Sequence, residues 1–292
     1  MSKGIERVLI AGCGYVGSQV ARLLSKRDID VWCLNRNPKN LPQQFKQVCG
    51  DVTDLTNLPK LDGGFDALVY AVSPGNRTEE NYRSVYYQGL GNVINRIGHS
   101  VRVILVSSTG VFSQNEGEWV TEDTNPNPVT GTAQQLLRAE TLALELGDPG
   151  IIIRLAGIYG PGRTRMIKRI LDKELDCPET NHFTNRIHRD DSARSICHLL
   201  ELPSPRNLYL GVDSDPASLH SVYTWLASKV GSEDPCAHLE KSHLIERDRL
   251  RTNKRCSNER LLKSGYSFLY PTFREGYGPL IQPDPVSSEH VS

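Results

Sequence analysis

Eight residues into the chain, the apolar run Val8-Leu9-Ile10-Ala11 passes directly into Gly12-Cys13-Gly14-Tyr15-Val16-Gly17. A helical pattern follows from Ser18 to Lys26, with Val20, Ala21, Leu23 and Leu24 facing inward. A lone G-x-G-x-x-G means little, but after a buried strand and before an amphipathic helix it marks a dinucleotide-binding turn. Gly12 permits the tight turn, Gly14 lets the backbone approach a pyrophosphate, and Gly17 lets strand and helix pack closely. The helix N-terminus, with Tyr15 and Val16 leading into it, then presents free N–H groups and a positive dipole end to the phosphates.

Cofactor choice is set where the second strand ends. Val31-Trp32-Cys33-Leu34 reads as that strand, and Asn35-Arg36-Asn37-Pro38 follows it. An NAD site usually carries Asp or Glu there to bond the ribose 2′-hydroxyl. This chain offers Asn35 and a guanidinium suited to a 2′-phosphate, which favours NADP over NAD. The alternative is that Arg36 is a solvated loop residue.

Further apolar runs at 67–71, 103–106 and 151–155 alternate with helical patterns over 82–97 and 133–145. Continuous apolar strands alternating with helices predict an α/β fold, a Rossmann-type doubly wound parallel sheet. After about residue 160 the rhythm changes, and Leu219 to Val230 is the clearest remaining helix. We expect a cofactor-binding domain over 1–160, to which one more strand returns from the C-terminal half. A smaller substrate lobe over 161–282 and a disordered tail over 283–292 complete the expected organisation. With 34 Lys+Arg against 34 Asp+Glu, the balanced charge argues against a general nucleic-acid or anionic-membrane partner. Seven scattered cysteines without a C-x-x-C pair predict neither a disulfide framework nor a metal site. Charged Lys3, Glu6 and Arg7 interrupt any signal peptide, and no run is long enough to span a bilayer. A cytoplasmic location is expected.

Several stretches together resemble the extended short-chain dehydrogenase/reductase family, the group of nucleotide-sugar epimerases and dehydratases. Besides the glycine turn they are Gly50-Asp51-Val52, the segment from Val106 to Phe112, Arg154 to Arg163, and Asn185 to Asp191. Ser257-Asn258 with Leu261-Leu262, Gly265-Tyr266 and Tyr270-Pro271 resembles the family's closing segment. The wording is most similar to an atypical bacterial branch. The resemblance implies that Asp51 and Val52 lie near the adenine and Ala71 along the cofactor, and that Ser108 faces the reacting oxygen with Thr109 beside it. A homodimer is a family-level expectation.

One departure bears on the chemistry. The family uses a Tyr and, four residues later, a Lys on the helix after the serine strand. A phenol with a pKa of about 10 needs a nearby cation to act as acid or base at neutral pH. Here the Tyr position falls on Thr130 or Thr132 and the Lys position on Gln134 or Leu136, and no Lys occurs from Leu61 to Ile167. On the preceding helix, Tyr86 stands where the family typically has Asn. Tyr86 is either a replacement phenol or an aromatic packed on a buried helix.

On the substrate side, Arg163, Arg165, Lys168 and Arg169 suit an anionic ligand such as a diphosphate, or form a solvated helix face. Arg186 and His188 lie at the expected seam between lobes, and Asp191 is expected to cap or orient a helix from Ser192 to Leu200. The leading expectation is an NADP-dependent oxidoreductase, epimerase or dehydratase on a small polar or nucleotide-linked substrate, with nonstandard proton transfer. The alternatives are an NADP-binding redox sensor without turnover and a redox-neutral isomerase or cyclase.

Overall fold

The computed structural model describes residues 4–37, 42, 44–61, 63–98, 100–147, 149–175, 177, 182–237 and 252–281. The expected tail from 283 lies outside them. Strands are numbered in chain order. β1 (Arg7–Ala11), β2 (Asp30–Asn35), β3 (Lys46–Cys49), β4 (Ala67–Tyr70), β5 (Arg102–Ser108), β7 (Gly150–Leu155) and β10 (Leu208–Gly211) form one parallel sheet. Its order is β10-β7-β5-β4-β1-β2-β3. Two small parallel pairs complete the strands: β6 (Glu118–Val120) with β11 (Lys254–Cys256), and β8 (Gly157–Tyr159) with β9 (Arg186–His188).

Alternation along each strand divides its side chains between two layers. Val8, Ile10, Val69, Ile104 and Ile153 face α1 (Gly17–Ser25) and α6 (Arg189–Glu201). Leu9, Ala11, Leu68, Tyr70 and Leu105 face α3 (Gly89–Ile97) and α4 (Gly131–Leu146). Both faces are covered, which is why the strands read as unbroken apolar runs. The sheet is doubly wound as expected, and its order reverses between β1 and β4. β3, mostly exposed at one edge, has no apolar run to announce it.

The helical region over 79–97 is not a continuous α-helix. After α2 (Glu79–Tyr82) the chain takes a π-helical turn, Arg83–Gln88, before α3. The cause is a side chain inserted into the ladder. The Tyr70 hydroxyl donates to the carbonyl of Val85, which an α-helix would offer to the N–H of residue 89. That N–H bonds the Ser84 carbonyl instead. Residue 89 must be glycine for this, because a Cβ there would lie 2.5 Å from Tyr70 Oη.

At the opposite edge, side chains occupy the outward backbone groups of β10. The Glu122 carboxylate accepts from the Leu210 N–H at 3.0 Å, Arg260 donates to the Leu208 carbonyl at 3.4 Å, and the two side chains pair at 3.6 Å. A surface cavity of about 840 Å³, lined by Arg206, Tyr209 and Lys263 among others, opens beside this edge. It lies four strands from β1, roughly 19 Å at the usual strand spacing.

In the region expected as a second lobe, α5 (Arg165–Leu171), α7 (Leu219–Val230) and α9 (Phe273–Ile281) pack around Ile170, Val222, Leu226, Phe273 and Tyr277. α8 (Glu259–Lys263) lies against β10. Here the expectation about cysteines is corrected: Cys177 and Cys236 form a disulfide, leaving five free thiols. The fold joins residues 59 apart in sequence, which local spacing cannot reveal. No helix among the described residues is long and apolar enough to cross a membrane.

Candidate functional site

The glycine turn sits where β1 ends, at the reversal of strand order. In open α/β sheets ligands bind in the crevice formed there. Gly12 has φ +90, and a Cβ on it would lie 2.6 Å from the Val72 nitrogen and 2.7 Å from Ala71 backbone atoms. A Cβ on Gly17 would strike the Gly12 carbonyl at 2.2 Å. These two glycines are required by packing. Gly14 is different: it is exposed, and a Cβ there meets nothing within 4 Å. Its lack of a side chain keeps the approach to the α1 N-terminus clear. The helices α4, α6 and α7 are each capped by a side chain, whereas α1, entered through Val16, has no side-chain cap and no acidic residue in its first turn. A bare helix start with a side-chain-free approach fits the pyrophosphate of a dinucleotide.

The Asn35 carboxamide is committed to the turn, accepting from the Cys13 N–H at 2.7 Å. Arg36 beside it is exposed. Asp51 accepts from the N–H and hydroxyl of Thr53 at 2.9 and 2.8 Å, and buried Val52 packs beneath it. Ala71 continues β4, its N–H bonded to the Ala11 carbonyl at 2.8 Å.

Tyr15 draws a second loop onto the turn. Its hydroxyl donates to the Pro161 carbonyl at 2.9 Å, and the Arg163 and Arg189 guanidiniums lie 4.0 and 5.4 Å from its ring centre. The structure therefore brings Arg163 to the glycine turn.

Ser108 ends β5. Its Oγ accepts from the Gly110 N–H at 3.0 Å, which starts the 3-10 turn Thr109–Val111 and leaves the hydroxyl proton free to be donated. Thr109 is buried. Across from this turn, Leu136 of α4 packs with Val111, Phe112 and Ala156, and with partly buried Tyr82 and Tyr86. Of the two candidate Lys positions, Gln134 is exposed and Leu136 lies in this apolar cluster. Thr130 Oγ1 caps α4 through the Ala133 N–H at 3.2 Å, and Thr132 Oγ1 lies 3.1 Å from it. The Tyr82 and Tyr86 rings are 5.4 Å apart. Burial and the neighbouring Tyr82 push the Tyr86 phenol well above its ordinary value.

Beneath the serine strand lies a buried network. Arg154 binds Glu140 through two bonds of 3.0 and 2.7 Å, Ser107 donates to the same carboxylate at 2.6 Å, and the guanidinium lies 4.9 Å from the Phe112 ring centre. It fixes α4 against β5 and β7.

At the seam, Arg186, Tyr159 and Asp213 are all at least 94% buried. Among the described residues, Arg186 Nη1, Tyr159 Oη and Asp213 Oδ2 find no hydrogen-bond partner. Burial raises the Asp213 carboxyl to about 8, with the Arg186 charge opposing the rise. His188 is buried at the same place. Its Nδ1 accepts from the Asp190 N–H at 3.2 Å, so it caps α6, and its ring packs against Tyr159 and Tyr270. Of the two roles expected for Asp191, capping is corrected accordingly. The helix starts at Arg189, and the Asp191 carboxylate instead accepts from the Tyr266 hydroxyl and the Leu269 and Tyr270 N–H groups at 2.7–2.8 Å. Sequence reasoning missed Tyr159 and Asp213 as seam residues. Their signal was a polar residue at the end of a short apolar strand.

Residues 8–211 match the model of the NAD dependent epimerase/dehydratase family. The chain is 27% identical to protein YeeZ of Escherichia coli over 96% of its own length and 99% of that protein. A solved structure from Methylobacillus flagellatus, provisionally assigned as an NAD-dependent epimerase/dehydratase, is similar at TM-score 0.79 and 34% identity, covering 95% of this chain and 98% of that one. The dTDP-glucose 4,6-dehydratase of Bacillus anthracis, solved with NAD, shares the fold at TM-score 0.75 and 14% identity, covering 94% and 95%.

Proposed function

The chain belongs to the NAD-dependent epimerase/dehydratase family, and on that premise we propose that it is an NADP-dependent oxidoreductase, epimerase or dehydratase. Its substrate is a small polar or nucleotide-linked molecule, and its proton transfer proceeds without the family's Tyr–Lys pair. The observation that carries this reading is the bare start of α1 under Gly14, with Arg36 exposed beside Asn35, whose carboxamide is already engaged. Arg36 is then the residue left to meet a 2′-phosphate, and Asp51, Val52 and Ala71 line the adenosine and nicotinamide path.

When bound, the nicotinamide supplies hydride transfer. Ser108, with its oxygen occupied by the Gly110 N–H, donates its proton toward the reacting oxygen of the substrate and polarises it. Tyr86 carries a phenol that stays protonated at neutral pH, so it serves as a hydrogen-bond donor and not as a base. Arg186 and the seam groups around it bind the polar end of the substrate.

A second reading, a cofactor-binding regulator without turnover, is favoured by one observation. Neither candidate for the family's Lys position offers a cation: Gln134 is an exposed amide and Leu136 lies in an apolar cluster. Titration of nicotinamide fluorescence with NADPH and NADH, in the native protein and in Arg36→Ala, tests the cofactor assignment. We expect saturable binding with NADPH preferred, and loss of about 1.4 kcal/mol or more of that preference, tenfold in affinity, in the variant. An unchanged preference would discard the role of Arg36. Decay of the NADPH signal with one class of carbonyl or nucleotide sugar identifies the enzyme, and binding without decay on a broad panel identifies the regulator.

A further inference from the structure

Away from the glycine turn, the cluster of α5, α7 and α9 gathers three soft or borderline donors. The sulfurs of Cys177 and Cys236 and an imidazole nitrogen of His220 all lie within 4.8 Å of one another, and His220 Nδ1 is 3.6 Å from Cys177 Sγ. The cysteines are 4% and 5% exposed, while His220, in the first turn of α7, is open to solvent. Such a site has apolar walls around its sulfurs and a solvent-facing ligand.

Contacts other than the disulfide hold the two cysteine segments together. Ser232 Oγ donates to the Ile170 carbonyl at 3.3 Å, and Lys173 pairs with Glu233 at 3.4 Å. The Asp234 carboxylate accepts from the Cys236 N–H at 2.9 Å and from Thr224 of α7 at 3.1 and 3.0 Å. The turn carrying Cys236 is thereby tied to the helix carrying His220. Breaking the S–S bond leaves both thiols beside the imidazole.

We propose that the Cys177–Cys236 disulfide is the oxidised state of a metal site whose reduced state binds one zinc ion through Cys177, Cys236 and His220. Two thiolates and an imidazole form a donor set that selects zinc over hard cations, and solvent supplies the fourth position of a tetrahedral site. Reduction by an external dithiol transfers two electrons and two protons. The dithiol becomes a disulfide, the Cys177–Cys236 bond breaks, and two thiols form. Zinc then binds the thiolates and releases those two protons. The cross-link between the α5 and α7 segments is kept in both states, by sulfur–sulfur bonding in one and by metal in the other.

The test uses the full chain, reduced with dithiothreitol, desalted without oxygen and titrated with Co²⁺ beside an oxidised sample. The expected result is one Co²⁺ per reduced chain, with a thiolate-to-metal charge-transfer band that Zn²⁺ bleaches, and no such band in the oxidised protein. Cys177→Ser abolishes the band. His220→Ala, a change at an exposed position that leaves the core intact, weakens Co²⁺ affinity about tenfold or more. Absence of the band in the reduced protein overturns the proposal, as does a band of undiminished affinity in either variant, which would place the metal on other cysteines.

Discussion

Two glycines two residues apart separate folding from ligand binding. Alanine at Gly12 must adopt φ +90 and press its Cβ to 2.6 Å from the Val72 nitrogen. Gly12→Ala is therefore expected to cost about 2 kcal/mol or more of stability. Alanine at Gly14 meets no protein atom within 4 Å, so its stability cost is expected to stay within about 0.5 kcal/mol. Its methyl group would instead intrude on the phosphate approach and weaken NADPH about tenfold or more, ~1.4 kcal/mol. Urea unfolding and fluorescence titration of both variants check the contrast; equal effects on stability would remove it. The packing requirements at Gly12 and Gly17 were legible because the motif states a backbone requirement. Asp213 and Tyr159 were not, because a polar residue at or just past the end of a short apolar strand does not by itself show that the fold buries it.

At the scale of elements, the π-helical turn depends on two residues distant in sequence. Tyr70→Phe leaves the Val85 carbonyl buried without its donor and is expected to cost about 1–3 kcal/mol. Gly89→Ala sets a Cβ against the Tyr70 hydroxyl, so part of its cost should vanish in the Tyr70→Phe background. A double-mutant cycle in urea measures that coupling, and strict additivity would show that the hydroxyl does not shape the turn. Helical periodicity over 82–97 gave no hint of the interruption, since its cause sits at the end of β4. The central strands of the sheet were readable from their apolar runs, as was α7 to the residue. β3 was not, because an exposed edge strand of Lys, Gln, Val and Cys shows neither alternation nor a run.

At the scale of the whole molecule, one covalent link constrains the cluster of α5, α7 and α9. The disulfide closes a loop of 59 residues, and loop-closure entropy puts its contribution at about 4 kcal/mol. Calorimetry in the presence of dithiothreitol should show a lower melting temperature than in its absence. Equal melting temperatures would mean that the surrounding contacts alone hold the cluster. The other large-scale constraint lies at β10, where Glu122 and Arg260 take the Leu210 N–H and the Leu208 carbonyl. A strand edge whose outward groups are already bonded cannot serve as a template for another strand. The sheet of this protein therefore cannot grow past seven strands on that side, whatever happens at the β3 edge.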